Sequence, residues 1–173
     1  VMNPYYTERF ANPSGLYGIG REVSKDVANA RKSIAQILGA QADTIIFTSG
    51  GTESDNLAIQ GMAYPHKRNG KHIITTKIEH PAVLETCKFL EKDGFEITYL
   101  NVNKEGQIDL KEFKNALRTD TILVSIMYAN NEIGTILPIA DVGREILKWR
   151  KTKNTVYPYF HSDACQAAGV LDL

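Results

Sequence analysis

Apolar side chains at Val23, Val27, Ala30, Ile34, Ile37 and Leu38 recur at helical spacing, and Gly39 follows where the pattern stops; this predicts a first helix. The β-branched run Thr44 to Thr48 predicts a strand, and Leu57, Ile59 and Met62 predict a helix reaching about Arg68. The alternation then repeats. Strands are predicted over His72 to Thr76, Glu96 to Leu100, Thr121 to Tyr128 and Val156 to Ser162. Helices are predicted over Pro81 to Lys92, Leu110 to Leu117 and Ile139 to Trp149, the first opened by its proline. Asp93-Gly94 and Lys104-Glu105-Gly106 are turn signals, and Lys148 to Pro158 reads as an exposed charged loop. Strands alternating with helices build βα units, hence an α/β three-layer sandwich with a mainly parallel central sheet covered on both faces.

Composition narrows the class without changing the fold. The 173 residues are 43% hydrophobic and 23% charged, the ordinary band for globular chains. Twenty basic side chains balance twenty acidic ones, so no long-range field gathers phosphate backbones or anionic lipid. Nucleic acid and membrane are therefore not expected partners. Cys87 and Cys165 are too few for a disulfide framework or for a structural zinc site by themselves, and Val-Met-Asn-Pro-Tyr-Tyr is no secretory signal; a cytoplasmic setting is expected. The first residue is not Met, and the last are Gly-Val-Leu-Asp-Leu with no closing helix, which predicts a piece of a larger domain.

Parallel sheets bind ligands beyond the carboxyl ends of their strands. The junctions after Thr48, Thr76, Tyr128 and Ser162 are therefore the places to look, and all four carry unusual chemistry. Ser49-Gly50-Gly51-Thr52-Glu53-Ser54 joins two glycines to a helix N-terminus, which makes either an anion cradle or a plain helix cap. It is no Walker loop, and Gly18-Ile19-Gly20 is no dinucleotide fingerprint, because no strand precedes it. His80, in Glu79-His80-Pro81, stacks on a planar ligand and exchanges protons, or merely caps a helix. Asn130-Asn131-Glu132 offers amides to a ligand, or forms an Asx turn. In His161-Ser162-Asp163-Ala164-Cys165-Gln166, a carboxylate at a buried strand end needs a cationic partner, which a protonated ligand nitrogen would supply; a metal held by His161 and Asp163 is the alternative, with no third ligand placed by spacing. Taken together, an anion cradle, an imidazole, an amide and a carboxylate describe a site for pyridoxal 5′-phosphate, a flat phosphorylated pyridine.

The blocks Asn12-Pro13-Ser14, Phe47-Thr48-Ser49-Gly50-Gly51-Thr52-Glu53-Ser54-Asp55-Asn56-Leu57-Ala58, Glu79-His80-Pro81-Ala82-Val83-Leu84, Asn130-Asn131-Glu132-Ile133-Gly134-Thr135 and His161-Ser162-Asp163-Ala164-Cys165-Gln166 resemble cysteine desulfurases. These are class V aminotransferase relatives of the nitrogen-fixation and iron-sulfur-cluster type. The resemblance implies a pyridoxal-phosphate-dependent transferase of fold type I, with residues 1–173 as the central part of its cofactor-binding large domain. It implies that Gly51 and Thr52 bind the phosphate, that His80 stacks on the pyridine and moves protons as the catalytic residue, and that Asn131 lies beside the ring hydroxyl and substrate. Asp163 would pair with the ring nitrogen and Gln166 with the ring hydroxyl, with no metal. It further implies L-cysteine as substrate, L-alanine and an enzyme persulfide as products, iron-sulfur cluster or thio-cofactor assembly as the purpose, a homodimer, and a sulfur-acceptor or scaffold protein as partner.

Departures from the pattern bear on activity. The family's Schiff-base lysine belongs to a Ser-x-His-Lys segment one βα unit further along, and its sulfur-accepting cysteine lies further still. Neither is among these residues, nor is the family's opening Tyr-x-Asp-x-Ala-Ala-Thr-Thr segment or its C-terminal small domain. The resemblance thus implies an inactive chain by itself. Lys77 is the nearest lysine in sequence to the site, a solvated strand-end residue. Cys165 stands where a small or hydroxyl residue is usual and, like Cys87, reads as packing. The connection through Lys151-Thr152-Lys153-Asn154 reads as longer than typical. The alternatives are another class V enzyme, such as a selenocysteine lyase or an aminotransferase, and a non-catalytic remnant that dimerises or scaffolds a partner.

Overall fold

The computed structural model describes residues 2–171 and divides into two units, one ending at Phe47 and the other beginning at Thr48. In the first, α1 (Pro4–Thr7) is tied to α2 (Gly18–Ile37) by Arg9 and the Tyr5 hydroxyl, both on the Asp26 carboxylate at 2.7 and 3.1 Å. The helix α2 begins earlier than its apolar periodicity because Gly18-Ile19-Gly20 joins its first turn. Gly20 is needed there, since a Cβ would sit 2.7 Å from the Gly15 carbonyl oxygen. The helix ends as its sequence predicts: Gly39 turns left-handed at φ +59°, and the Ala40 amide closes onto the Ala35 carbonyl at 2.8 Å.

The predicted strand Thr44 to Thr48 does not form. Ala42–Thr44 is a single 3-10 turn, and Ile45 is extended but belongs to no ladder among the described residues. β-branching sets the backbone angles, yet a strand also needs a neighbour for its amides and carbonyls. Here Ile46 and Phe47 stay exposed, with the Arg31 guanidinium 4.7 Å from the Phe47 ring centroid.

The second unit is the sandwich. It runs α3 (Gly51–His66), β1 (His72–Thr76), α4 (Pro81–Lys92), β2 (Glu96–Leu100), α5 (Leu110–Ala116), β3 (Thr121–Ser125), α6 (Ile139–Lys153) and β4 (Tyr159–His161). The four strands lie in the order β2-β1-β3-β4, every pair parallel. β1 and β3 are central and wholly buried, which is why both read as continuous apolar or β-branched runs. Neighbours Ile73 and Ile74 face opposite layers. Ile73 packs with Ile59 and Ala63 of α3 and with Val83, Cys87 and Leu90 of α4, whereas Ile74 packs with Phe113 of α5 and with Val142 and Ile146 of α6. The register steps from His72 opposite Thr121 to Ile73 opposite Leu123, so Ile122 is an extra residue in β3. Ile122 and Leu123 consequently share the α3/α4 layer, and Val124 turns to the other.

Three predicted boundaries move for identifiable reasons. β3 ends at Ser125 rather than Tyr128, because the Met127 amide is taken by both oxygens of the Glu79 carboxylate at 3.0 and 3.1 Å. The α6 helix continues through Lys153, so the expected loop from Lys148 is mostly helix, Lys151 to Lys153 included. Its basic last turn complements the helix dipole, and left-handed Asn154 closes it. β4 starts at Tyr159 rather than Val156, after Pro158, which has no amide hydrogen to give a ladder. The turns at Gly94 and Gly106 form with φ of +82° and +77°.

Candidate active site

The carboxyl edge of the sheet is hollow. A cavity of about 300 Å³ opens there, lined by Gly51, Thr52 and Asp55 of α3, His80 ahead of α4, Met127, Ala129 and Asn131 beyond β3, and Asp163, Cys165 and Gln166 beyond β4. That volume lies at the small end of the roughly 300–1,000 Å³ found for small-molecule sites. The six residues singled out by sequence, Gly51, Thr52, His80, Asn131, Asp163 and Gln166, are all on its wall.

Each junction is built by its own hydrogen bonds. At α3, Gly50 occupies the N-cap position and no side chain caps the helix, so first-turn amides point outward. Ser49 is held instead by Glu53, whose Oε2 accepts from the Ser49 amide and hydroxyl, both at 2.6 Å. Those two bonds hold the Glu53 carboxyl below its ordinary value. A Cβ on Gly51 would come within 2.8 Å of the Cys165 Sγ, so glycine allows the loop beyond β4 to press against the helix start.

His80 performs the capping role and lines the cavity as well. Its Nδ1 accepts from the Ala82 amide at 3.1 Å, which leaves the ring hydrogen on Nε2. Asn130 and Asn131 divide their work. Asn130 is buried and forms the Asx turn, its Oδ1 accepting from the Glu132 and Ile133 amides at 2.9 and 3.0 Å while its Nδ2 donates to the Ile78 carbonyl at 2.9 Å. Asn131, anchored by that turn, is exposed on the cavity wall. At the last junction, Asp163 Oδ1 accepts from the Cys165 amide at 2.9 Å, and its backbone carbonyl accepts from Tyr128 at 2.8 Å. Cys165, expected from sequence to pack, is instead exposed; its thiol, partly desolvated and hydrogen-bonded to Asp163, is pushed up to about 11.

Two carboxyl groups that no expectation singled out complete the site. Glu79 is buried, and besides holding Met127 it accepts from the Thr76 hydroxyl at 2.7 Å. Burial pushes its carboxyl up to about 7, against the pull of those bonds. Asp55 is only 3% exposed and follows Gly51 and Thr52 on one face of α3, one turn into the helix. Burial, and then the charge of Asp163, push it up to about 6. Its Oδ1 lies 3.6 Å from Nε2 of His161, whose Nδ1 shares a hydrogen bond with the Ser125 hydroxyl at 2.9 Å. Burial holds His161 below the ordinary histidine value. The Nδ1 of His161 is thus spent on Ser125 while its Nε2 stands beyond hydrogen-bond length from Asp55, and among the described residues no three metal-ligating side chains gather.

Layer order and hollow edge together define an α/β protein of the kind that receives small ligands beyond its strand ends. The chain belongs to the class V aminotransferase family, whose model matches residues 1–172. It is 55% identical to cysteine desulfurase IscS of Dictyoglomus turgidum over 169 residues, which are 98% of this chain and 41% of that protein. Among solved structures, a NifS-like protein superposes with a TM-score of 0.92 at 41% identity, covering 99% of this chain and 46% of the other. A second, SspA in complex with cysteine, superposes with a TM-score of 0.90 at 39% identity, covering 99% and 48%. The chain therefore spans less than half the length of each of these relatives.

Proposed function

We propose that this chain is the central part of the cofactor-binding large domain of a cysteine desulfurase, and that its edge cavity holds pyridoxal 5′-phosphate. The observation that carries the reading is the convergence of Gly51, Thr52, His80, Asn131, Asp163 and Gln166 on one cavity of about 300 Å³. The donor set suits the molecule. Uncapped first-turn amides at Gly51 and Thr52 receive a phosphate monoester, and the missing Cβ at Gly51 keeps that end close to the loop of Cys165. Asp163, already fixed by the Cys165 amide, offers a carboxylate to a protonated ring nitrogen.

When bound, the cofactor supplies an aldehyde carbon for the substrate amine and a ring that draws electrons from it. The protein's part is to bind, orient and move protons. Asp163 would keep the ring nitrogen protonated, and His80, with its hydrogen on Nε2, would lie against the ring and exchange protons with the substrate. Asn131 and Gln166 would orient the ring hydroxyl, and Glu79 fixes the His80 loop against the end of β3. The substrate we propose is L-cysteine, matching the cysteine bound by the SspA relative, with sulfur passed to an acceptor protein for iron-sulfur cluster assembly. A homodimer in the cytoplasm completes the proposal; no helix among the described residues is long and apolar enough to cross a membrane.

The test is turnover by the full-length protein. Supplied with pyridoxal phosphate, L-cysteine and a reductant, it should release alanine and sulfide in equal amounts. Selenocysteine or another amino acid turned over in preference to cysteine would move the assignment to a different class V enzyme. Absence of cofactor absorption in protein purified with pyridoxal phosphate would favour a scaffold.

A further inference from the structure

The cavity holds more negative charge at one end than a single ring-nitrogen contact requires. Asp55 and Asp163 both line it, and Asp55 is pushed upward by burial and then by the charge of Asp163. A buried carboxyl group beside another costs stability unless something there uses it. Its support is also specific. Ser125 on β3 holds Nδ1 of His161 on β4, and Nε2 of that ring lies 3.6 Å from Asp55 Oδ1 on α3. Three elements of the sandwich thus converge to place one carboxyl group.

We propose that Asp55 is a second carboxylate for the cationic end of the cavity, acting with Asp163, and that His161 is the positioning residue that aims it. This rests on the cofactor reading above and adds to it a residue pair and a pH dependence. With Asp55 ionised, two negative charges face a protonated heterocycle. With Asp55 protonated, only Asp163 does, and the ring is held less firmly. The groups facing Asp55 are His161 from the sheet, Asp163 and Cys165 beyond β4, and His80 and Glu79 ahead of α4. Its carboxyl titrates near 6, so affinity for a cationic ring rises as pH climbs through that value.

The probe is pyridoxine 5′-phosphate, which carries the phosphate and the ring nitrogen but no aldehyde to condense with lysines. Its binding to full-length protein freed of cofactor is followed by its own fluorescence anisotropy between about pH 5 and pH 8. Asp55→Asn should weaken binding about three- to tenfold at neutral pH and remove the wild-type component of the pH profile that centres near Asp55's value. His161→Gln should weaken it less and move the step upward, because the carboxylate loses the imidazole packed 3.6 Å from it. A 1-deaza analogue, with CH in place of the ring nitrogen, should retain only the step that its phosphate shares with pyridoxine 5′-phosphate and lack the Asp55 component on the wild-type protein, a comparison that needs no variant to fold. Matching profiles for wild type and Asp55→Asn, or equal steps for the two ligands, would overturn the proposal while leaving the cofactor reading intact. No binding of pyridoxine 5′-phosphate by the wild type would remove both.

Discussion

The two ends of the sheet are made of the same polar residue types and behave in opposite ways. At the amino end, His72 is buried with both ring nitrogens spent, on Thr121 and Thr98 hydroxyls at 2.8 Å each. Arg118 closes over that end, paired with Glu96 and Asp120. Gly70 is packed so tightly on Asp120 that a Cβ would lie 2.1 Å from its carbonyl oxygen. At the carboxyl end, histidine and carboxylates instead surround a cavity, with Asp55 and Glu79 displaced upward by burial. A buried polar group that is fully partnered holds a structure together; one that borders a cavity is available to a ligand.

The contrast is broken most severely at the closed end. Gly70→Ala should destabilise the full-length protein by about 2–3 kcal/mol in urea unfolding, because backbone must move to admit the methyl group. Gly51→Ala, whose methyl meets only a cysteine side chain, should change stability far less and instead weaken pyridoxine 5′-phosphate binding. His72→Ala takes the partner from the Thr98 hydroxyl and leaves Thr121 only the Arg118 amide, and should cost about 2 kcal/mol with ligand affinity unchanged.

Glu79 sharpens the comparison through pH. Its folded carboxyl titrates near 7, above the ordinary value of 4.5, so its contribution to stability is full below the lower figure and is lost as pH rises through the upper one. Stability should therefore rise as pH falls from about 7.5 to 5, by on the order of 1–2 kcal/mol, and Glu79→Gln should flatten that slope. Smallest is the asparagine pair. Asn130→Ala should lower stability by about 1 kcal/mol through loss of its turn, whereas Asn131→Ala should leave the melting temperature in place and change only ligand affinity.

The predicted bounds of β1, α4 and β2 coincide with those observed, because buried strands and a proline-opened helix carry their signals within their own residues. Elements whose limits depend on distant partners were less legible. Thr44 to Thr48 has strand composition and no ladder, and β3 ends where a carboxylate 48 residues away takes its amide. The junction loops stood out because glycine and polar residues after apolar runs are local events. Glu79 did not, since its task is fixed only when Met127 arrives. Asp55 carried a usable signal: Gly51 or Thr52, Asp55, Ile59 and Ala63 form one helical stripe, and an acid in an otherwise core-facing stripe marks a buried charge.

The additional residue at Ile122 works as a half-step in the pleat. Downstream of it, odd and even positions exchange layers while the pairing with β1 and β4 continues in step. Excising Ile122 would therefore restore one-to-one pairing and leave Val124 and Ser125 on the faces they now hold, with the bond from Ser125 to His161 intact. What would vanish is the side-by-side seating of Ile122 and Leu123, two large side chains given to the α3/α4 layer where a regular pleat gives one.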